Sequence, residues 1–273
     1  MSIPGANGTG SSGVWQLFKE RRKRDGLYGA ADYWDSRAGA RRGMARSLWP
    51  SNTFNRVWDE RQRAMLARVL GPMSDRRVVD IGCGTGRVTR WLAEECGASH
   101  VVGVDFSHAT VVAARNESMA LVSSGIVRFE QGDVVAGLDG IGAGHFDDAV
   151  ILGCLSIACR EIASLERAMA NVARLVRKGG RVLLLEPIHR SPLLRRVLAL
   201  GLEEWIACAN GAGLSLALGD RMGFVPARLV LSVRDLPHFL VAPLFHGGEH
   251  LLDAAPWLSF LADYKLLLFT RSR

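Results

Sequence analysis

The sequence has few cysteines and no apolar run long enough to cross a membrane. Its five cysteines form no Cys-x-x-Cys pair, so we predict neither a disulfide framework nor a cysteine metal site, and we expect reduced thiols in a cytoplasmic protein. The apolar run at 149–159 falls well short of the roughly 20 residues that span a bilayer. Residues 1–13 are polar and lack the apolar core of a secretory signal. We therefore predict no stable membrane insertion.

Acidic residues are outnumbered, with 27 Asp and Glu against 34 Lys and Arg and a net charge of +7. Much of the excess lies at 19–24 and 37–46. We interpret these runs as solvated faces, although attraction to acidic partners or anionic lipid surfaces stays open. Aromatic residues are not interleaved with the basic ones as on an RNA-binding sheet. A nucleic-acid partner is therefore not predicted.

What the sequence does have is a strand that ends in alternating glycines and then enters a helix. Val78, Val79 and Ile81 are β-branched residues suited to a buried strand. The glycines at 82, 84 and 86 let the backbone turn sharply and approach a ligand. Residues 88–93 are typical of a helix, whose N-terminal amides favour an anionic group.

A second strand, 101–104, ends in Asp105, a carboxylate positioned to accept hydrogen bonds from a ribose diol. The glycine turn and this aspartate together predict an adenosine-containing cofactor. A dinucleotide fold would carry a further glycine where this chain has Arg87. The alternation of strands and helices predicts an α/β fold with a mostly parallel sheet and helices on both faces.

The motif at 79–86 resembles the first motif of the class I S-adenosylmethionine-dependent methyltransferases. Four further segments resemble later motifs of that family in the right order: 104–107, 131–134, 146–150 and 175–184. The resemblance implies a Rossmann-like, seven-stranded, mostly parallel sheet. It also implies S-adenosyl-L-methionine as the cofactor and S-adenosyl-L-homocysteine as the product.

The resemblance gives each polar position of the cofactor site a role. Gly82 and Gly84 would let backbone amides approach the methionyl carboxylate, and Asp80 would accept a hydrogen bond from the methionyl ammonium. Asp105 would hold the ribose hydroxyls. Asp133 would accept a hydrogen bond from the adenine amino group, with the capping of a turn as the alternative.

Apolar groups complete the predicted cofactor site. Phe106 and Val134 would pack on the purine, although Phe106 also fits a core position. Tyr33 would close the methionine end of the site or belong to the core of a cap. The predicted cofactor-binding set is Tyr33, Asp80, Gly82, Gly84, Gly86, Asp105, Phe106, Asp133, Val134 and Leu152.

The chain is predicted to divide into three parts. Residues 1–13 are expected to form a disordered tail, and residues 14–70 a helical N-terminal cap. Residues 71–273 would form the methyltransferase domain, with a sixth strand at 214–218 and a substrate or lid insert at about 223–260, because so long a connection in a compact domain is usually functional.

The residues after the fourth strand limit the class of acceptor. Residues 152–155 read Leu-Gly-Cys-Leu, without the Pro-Pro-Tyr/Phe motif of enzymes that methylate nucleic-acid amino groups. Cys154 follows glycine, so the Pro-Cys nucleophile of base C5-methylating enzymes is also absent. A small-molecule acceptor is therefore predicted, and a homodimer is left open.

An alcohol acceptor needs a positioned base, which is most often histidine. Glu186 and His189 follow the fifth strand, and His238, His246 and His250 lie in the long insert. We predict that His189 or His250 removes the acceptor proton, with Glu186 as the next candidate. The alternative is that these histidines are structural groups of a lid.

The segments 33–35 and 47–50, with the histidine-bearing insert, are similar to actinobacterial small-molecule methyltransferases, including the mycobacterial sugar O-methyltransferase of methylmannose polysaccharide assembly. This similarity implies O-methylation of a saccharide in polysaccharide biosynthesis. The alternatives are C- or O-methylation of a quinone, phenol or lipid, and a non-catalytic cofactor- or RNA-binding module. The run 246–250, His-Gly-Gly-Glu-His, could ligate a cation, but the usual three-ligand geometry cannot be read from it, so the need for a metal is left open and no metal residue is assigned.

Overall fold

The computed structural model of the protein describes Tyr28, residues 31–40, Met44, residues 48–191 and residues 194–272. The predicted tail at 1–13 and most of the first half of the predicted cap lie outside the described residues.

Seven strands form one sheet in the order β3-β2-β1-β4-β5-β7-β6. The last strand, β7, pairs antiparallel with β5 and β6, and every other pairing is parallel. The predicted seven-stranded, mostly parallel sheet is therefore confirmed. The strands are β1 (Arg77–Ile81), β2 (His100–Asp105), β3 (Val127–Gln131), β4 (Phe146–Leu152), β5 (Val176–Glu186), β6 (Leu214–Phe224) and β7 (Ala262–Arg271).

Helices cover both faces of the sheet. Among the described residues they are α1 (Ala31–Ala40), α2 (Asn52–Leu70), α3 (Arg87–Glu94), α4 (His108–Glu117), α5 (Met119–Ser123), α6 (Leu155–Ala158), α7 (Ile162–Leu175), α8 (Leu202–Gly211), α9 (Val225–Leu231) and α10 (His238–Ala254). Two 3₁₀ turns lie at Asp139–Ile141 and Pro256–Leu261. None of the described helices combines the length and the apolar character that a bilayer span requires.

Alternation along the buried strands divides the apolar side chains between two cores. Val79 and Ile81 of β1 belong to a core that includes side chains of α7 and α8. Val78 belongs to the opposite core, which includes Phe54 of α2 and Trp91 of α3. The sheet is buried on both faces, so its polar functions are left to the strand ends.

The segment after β5 differs from the prediction. The pair Ser191-Pro192 is typical of a helix start and predicts a helix over Ser191–Asn210, but the helix α8 begins only at Leu202. The physical reason is that the N–H groups of Val197 and Leu198 both donate to the carbonyl of Ser156 at 3.0 Å. That tie to α6 holds this stretch in a non-helical path.

The insert between the last two strands also differs from the prediction in its bounds, and it is folded largely into helices. The predicted sixth strand, 214–218, extends to Phe224, where it pairs with Ala262 at the start of β7. Residues 225–261 therefore form the connection, and they fold as α9, α10 and the second 3₁₀ turn. Because β6 runs in the direction of the parallel strands, this insert lies at their carboxyl edge.

Candidate active site

A cavity of about 430 Å³ opens at the carboxyl edge of the sheet. It is lined by the ends of β1, β2 and β4 and by the loops that follow them. The strand order reverses between β1 and β4, and ligands of open α/β sheets bind at such a switch point. Eight of the ten predicted cofactor-binding residues line this cavity: Asp80, Gly82, Gly84, Asp105, Phe106, Asp133, Val134 and Leu152.

The turn after β1 is packed so closely that it requires glycine. Gly82 has φ 74°, and a Cβ there would lie 2.5 Å from Cys154 Cβ and Sγ. Gly86 caps α3 with φ 78°, and a Cβ there would lie 2.7 Å from the Phe129 ring. Gly86 is not among the described residues that line the cavity. Its function in the structure is to let α3 approach the sheet.

The amides of this turn are bonded within the protein. Gly82 donates to the Val104 carbonyl at 2.7 Å, and Gly84 donates to Asp105 Oδ2 at 3.0 Å. These two bonds tie the turn after β1 to β2, and the approach of the amides to a methionyl carboxylate stays a prediction. Gly82 and Gly84 also present a backbone surface without side chains, against which a ligand can lie.

Asp105 is held at the cavity wall by two backbone donors. Gly84 donates to Oδ2 and Ser107 donates to Oδ1, both at 3.0 Å. Burial raises the pKa of Asp105, and these two N–H donors oppose that rise. Each carboxylate oxygen has a further lone pair, so the geometry suits a diol that donates two hydrogen bonds.

Asp80 is buried beneath the same wall. Thr89 Oγ1 donates to Asp80 Oδ2 at 2.7 Å. Burial raises the pKa of Asp80 to about 7, and the nearby charge of Asp105 adds to that rise. A cationic ligand group beside Asp80 would favour the ionised carboxylate and lower this pKa.

The other end of the cavity is formed by Phe106, Val134 and Asp133. Phe106 is half-buried and Val134 is buried, so both offer apolar surface to a flat ligand. Asp133 Oδ1 accepts from Val135 N at 2.8 Å and Ala136 N at 3.3 Å. Asp133 thus caps a turn, which was the alternative reading of its role, while it also lines the cavity.

Aromatic residues of the N-terminal segment lie over the site. Tyr28 and Trp34 line the cavity, whereas Tyr33 does not. Trp34 Nε1 donates to the Tyr28 carbonyl at 3.0 Å, and Ser107 Oγ donates to Asp35 Oδ1. The second bond fixes α1 to the end of β2. Sequence reasoning named Tyr33 of this segment and missed Tyr28 and Trp34, because the contacts that orient α1 cannot be read from the sequence.

Further lining residues were not predicted. Arg87 lines the cavity, and its Nη2 donates to Gln62 Oε1 at 2.7 Å while its Nη1 donates to Asp59. Burial lowers the pKa of Arg87 to about 10. Arg160 and Arg167 also line the cavity. Both arginines follow β4, at the edge where such sheets bind ligands, and this position in the sequence could have identified them as lining residues.

The three predicted catalytic residues are not among the described residues that line the cavity. Glu186 is fully buried, and its Oε1 accepts from Cys154 N and Leu155 N at 2.8 Å, while Oε2 accepts from Ser156 N at 3.2 Å. Burial raises the pKa of Glu186 to about 7, against the effect of these donors. Glu186 therefore holds the start of α6 behind the cavity wall.

The two predicted histidine bases are separated from each other. His189 Nε2 lies 2.8 Å from the Asp263 carbonyl and 3.4 Å from Asp263 Oδ1, within a buried cluster that includes Arg228. His250 is exposed on α10. Neither histidine is among the described residues of the cavity wall, so the role of His189 or His250 as the base stays a prediction.

A polar pair that was not predicted, Tyr264 and Arg196, lies behind the cavity wall at Gly153. A Cβ on Gly153, a residue of the cavity wall, would lie 3.4 Å from the Tyr264 hydroxyl. Tyr264 is buried and hydrogen-bonded to Arg196. The Arg196 guanidinium lies 5.9 Å from the centre of the Trp49 ring. Sequence reasoning missed this pair because its members come from the β5–α8 connection and β7.

The described residues include no group of three or more His, Cys, Asp or Glu side chains arranged to hold a metal ion.

Known proteins with similar sequences are methyltransferases. Relatives include a demethylmenaquinone methyltransferase of Thermus thermophilus, 32% identical over 111 residues, which are 41% of this chain and 47% of the relative. They also include a ubiquinone/menaquinone biosynthesis C-methyltransferase of Pseudomonas syringae, 30% identical over 139 residues, which are 50% of each chain. The chain thus spans at most about half the length of these curated relatives.

A solved structure gives a similar fold. The geranyl diphosphate C-methyltransferase of Streptomyces coelicolor, in complex with S-adenosyl-L-homocysteine, aligns with a TM-score of 0.56 at 16% identity over 78% of this chain and 76% of that one. Residues 78–180 match the family described as a methyltransferase domain, and the predicted resemblance of this part of the chain to the class I, S-adenosylmethionine-dependent methyltransferases is confirmed.

Proposed function

We propose that the protein transfers a methyl group from S-adenosyl-L-methionine to a small-molecule acceptor. The observation that carries the proposal is the cavity wall formed by Gly82, Asp80 and Asp105. Gly82 leaves a cradle that a Cβ would fill, and two carboxylates lie beside it. A nucleoside with a cationic amino acid tail needs these three features: close backbone, an acceptor for the ribose and a counter-charge.

Bound S-adenosyl-L-methionine supplies a sulfonium methyl group that is already activated for displacement. The protein's own task is then to orient the two reactants and to accept the acceptor's proton. Asp105 would fix the ribose, Asp80 would neutralise the ammonium group, and Phe106 and Val134 would hold the purine. Tyr28 and Trp34 would exclude water from the methionine end.

We further propose that the acceptor is an aromatic ring with an ionisable hydroxyl, as in a phenol or a quinol. No histidine lies among the described residues of the cavity wall. A phenolic hydroxyl, with a pKa near about 10, loses its proton far more readily than an alcohol and needs a weaker base. Leu48, Leu152 and Tyr28 offer apolar and aromatic surface to such a ring.

Tyr264 and Arg196 would assist an acceptor of this kind as positioning residues. Arg196 keeps a positive charge next to the Tyr264 hydroxyl, which approaches the wall at Gly153. A phenolate that forms at this end of the cavity would be stabilised by the nearby guanidinium. The quinone acceptors in the names of two relatives support this proposal.

Saccharide O-methylation with His189 or His250 as the base remains the second candidate, on the sequence similarity described above. Its mechanism would require that one of these residues reaches the cavity after a rearrangement. Both acceptor classes can be tested in one assay.

The test measures formation of S-adenosyl-L-homocysteine with a demethylated quinol, a simple phenol, a mannose-containing oligosaccharide and RNA as separate acceptors. We expect turnover with the quinol or the phenol. Asp105→Ala should weaken cofactor binding at least tenfold, or about 1.4 kcal/mol, in calorimetry, whereas Asp139→Ala, an exposed aspartate outside the cavity wall, should not.

Each result has a distinct meaning. Turnover with the oligosaccharide alone would replace the phenolic acceptor by the saccharide. Cofactor binding without turnover on any acceptor, together with binding to RNA, would support a non-catalytic module. Unchanged affinity in Asp105→Ala would contradict the cofactor site itself.

A further inference from the structure

A second cavity, of about 340 Å³, lies at the amino edge of the sheet, where β1, β2 and β4 begin. Four basic side chains line it, and none of the described residues of its wall is acidic. We call these four residues the basic cluster: Arg77, His100, Arg128 and His145. A cavity with this size and this excess of basic groups is suited to a small anion.

Strand register brings three members of the basic cluster onto one face of the sheet. Arg77 begins β1 and His100 begins β2, and the two residues are partners in the parallel ladder. Arg128 of β3 is the partner of Val102, which lies two residues after His100. Partners in register share a face, and so do residues two apart along a strand. Three neighbouring strands therefore each contribute one basic group to the same side.

The fourth member is placed by the turn before β4. Gly142 has φ 97°, and a Cβ there would lie 2.5 Å from His145 Nδ1. The imidazole thus packs against bare backbone, in a position that any larger residue at 142 would disturb. Gly140 and Gly142 both line the cavity. This side of the wall is therefore formed by backbone that a ligand can approach closely.

The carboxylates at this edge of the sheet leave one guanidinium uncompensated. Three of them have an arginine partner: Glu130 with Arg128 at 3.2 Å, Asp147 with Arg177 at 2.6 Å and Asp139 with Arg174 at 3.0 Å. Asp147 also accepts a hydrogen bond from the backbone N–H of Arg77 at 2.8 Å. The Arg77 guanidinium makes no ion pair with any residue in the described part of the chain.

The members of the basic cluster also act on one another. Burial lowers the pKa of His100, and the nearby charges of Arg77 and Arg128 lower it further, against a hydrogen bond to the Gly125 carbonyl. Two guanidinium groups thus lie within electrostatic reach of one imidazole. A bound anion would offset this repulsion and would favour the protonated imidazole.

We propose that the basic cluster binds the phosphate group of a small molecule. A guanidinium presents a planar fork of N–H donors that matches phosphate oxygens, and an imidazole adds a further donor. An RNA strand fits less well, because single strands stack their bases on exposed aromatic side chains along a basic groove. Phe146, the aromatic residue among the described residues of this wall, is buried.

This site is separate from the cofactor cavity. Arg77 begins β1 and Gly82 follows the end of the same strand, so the two sites lie roughly 16 Å apart along it. A ligand can therefore bind at each edge of the sheet at the same time. The inference does not depend on the acceptor or on the methyl transfer proposed above.

The experiment is calorimetry of the full chain with inorganic phosphate, ribose 5-phosphate and a short RNA as separate titrants. It is done with and without saturating S-adenosyl-L-homocysteine, so that binding in the cofactor cavity is recognised by its loss when that cavity is filled. We expect binding of both phosphate compounds in both conditions. Tighter binding of ribose 5-phosphate would identify an organic phosphate as the ligand, and equal affinities would identify the free ion.

Variants assign the binding to the basic cluster. Arg77→Ala and Arg128→Ala should each weaken phosphate binding about tenfold or more. Arg77→Lys keeps the charge but loses the fork of donors, so its effect should be smaller. Arg68→Ala is the control matched to Arg128→Ala: it removes an exposed, ion-paired arginine of α2 that is outside this cavity, and it should leave binding unchanged.

Thermal unfolding followed by circular dichroism checks that all variants are folded. Three results would overturn the proposal. The first is that the wild-type chain binds neither phosphate compound at millimolar concentrations. The second is an equal loss in Arg68→Ala and Arg128→Ala, because binding would then be a general attraction to a basic chain. The third is binding of RNA alone that Arg77→Ala weakens, because the cluster would then serve a nucleic acid.

Discussion

Replacement of Gly82 by alanine is a direct test of the packing that forms the cofactor cradle. The new Cβ would lie 2.5 Å from Cys154 Cβ and Sγ, whereas non-bonded carbon atoms prefer about 3.5–4.0 Å. Gly82 also has φ 74°, a left-handed conformation that costs alanine roughly 1–2 kcal/mol. Displacing Cys154 adds about 1–3 kcal/mol. We therefore expect the free energy of unfolding to fall by roughly 2–5 kcal/mol.

Gly125 provides a matched control. It has φ 78°, and a Cβ there would have no neighbour within 4 Å, so Gly125→Ala should show the backbone cost alone. Urea denaturation gives the free energy of unfolding for both variants, and calorimetry gives their affinity for S-adenosyl-L-homocysteine. We expect only Gly82→Ala to lose affinity, because Gly82 and Cys154 both line the cavity.

The clash with Cys154 can be isolated by a second substitution. Cys154→Gly removes the atoms that an alanine at Gly82 would meet, so the double variant should recover the part of the lost stability that exceeds the Gly125→Ala cost. Equal destabilisation in Gly82→Ala and Gly125→Ala, or no recovery in the double variant, would refute the reasoning.

Three further predictions concern the buried carboxylates. Burial raises the pKa of Asp80 to about 7, and the ionised carboxylate would hold the ammonium group. Cofactor affinity should therefore fall by up to about tenfold per pH unit below pH 7. Calorimetry at several pH values should show weaker binding with a flatter pH dependence in Asp80→Asn. Glu186→Gln should lower the free energy of unfolding by about 1–3 kcal/mol, because its amide would face the Ser156 N–H. Turnover at saturating cofactor should fall by less than the roughly 100-fold expected for loss of a general base. A larger fall would support Glu186 as the base. Asp263→Ala should cost about 3–5 kcal/mol in urea denaturation, because it leaves the buried Arg228 without its counter-charge; a change below about 1 kcal/mol would contradict this.

The cofactor half of the site could be predicted from sequence because its signals are local. The strand, the glycine turn and the helix that follow one another at 78–93 dictate their own geometry. Asp105 could be placed because a parallel neighbour brings the end of β2 beside the end of β1. The predicted roles of the Gly82 and Gly84 amides toward the cofactor stay predictions, and the bonds that these amides make to β2 could not be read from the motif.

The acceptor half could not be predicted in the same way, because long-range packing determines it. Glu186 and His189 follow β5 as expected, but their side chains turn to α6 and to Asp263. Tyr264 reaches the wall at Gly153 from an antiparallel strand near the end of the chain. No spacing pattern in the sequence connects residue 264 with residue 153. The same is true of the insert, whose length predicted a substrate or lid element but not which side chains of α10 would be exposed.

The cofactor half and the acceptor half of the site also differ in how far the family match covers them. The family match ends at residue 180, so it covers the glycine turn, Asp105 and Asp133, but not Tyr28, Arg196, Tyr264 or the insert. The family match therefore covers the cofactor half of the site but not the acceptor half. If Tyr264 and Arg196 serve the acceptor as proposed, a substitution at either should change the choice of acceptor before it changes affinity for the cofactor, because both lie behind the wall at Gly153 rather than beside Asp80 and Asp105.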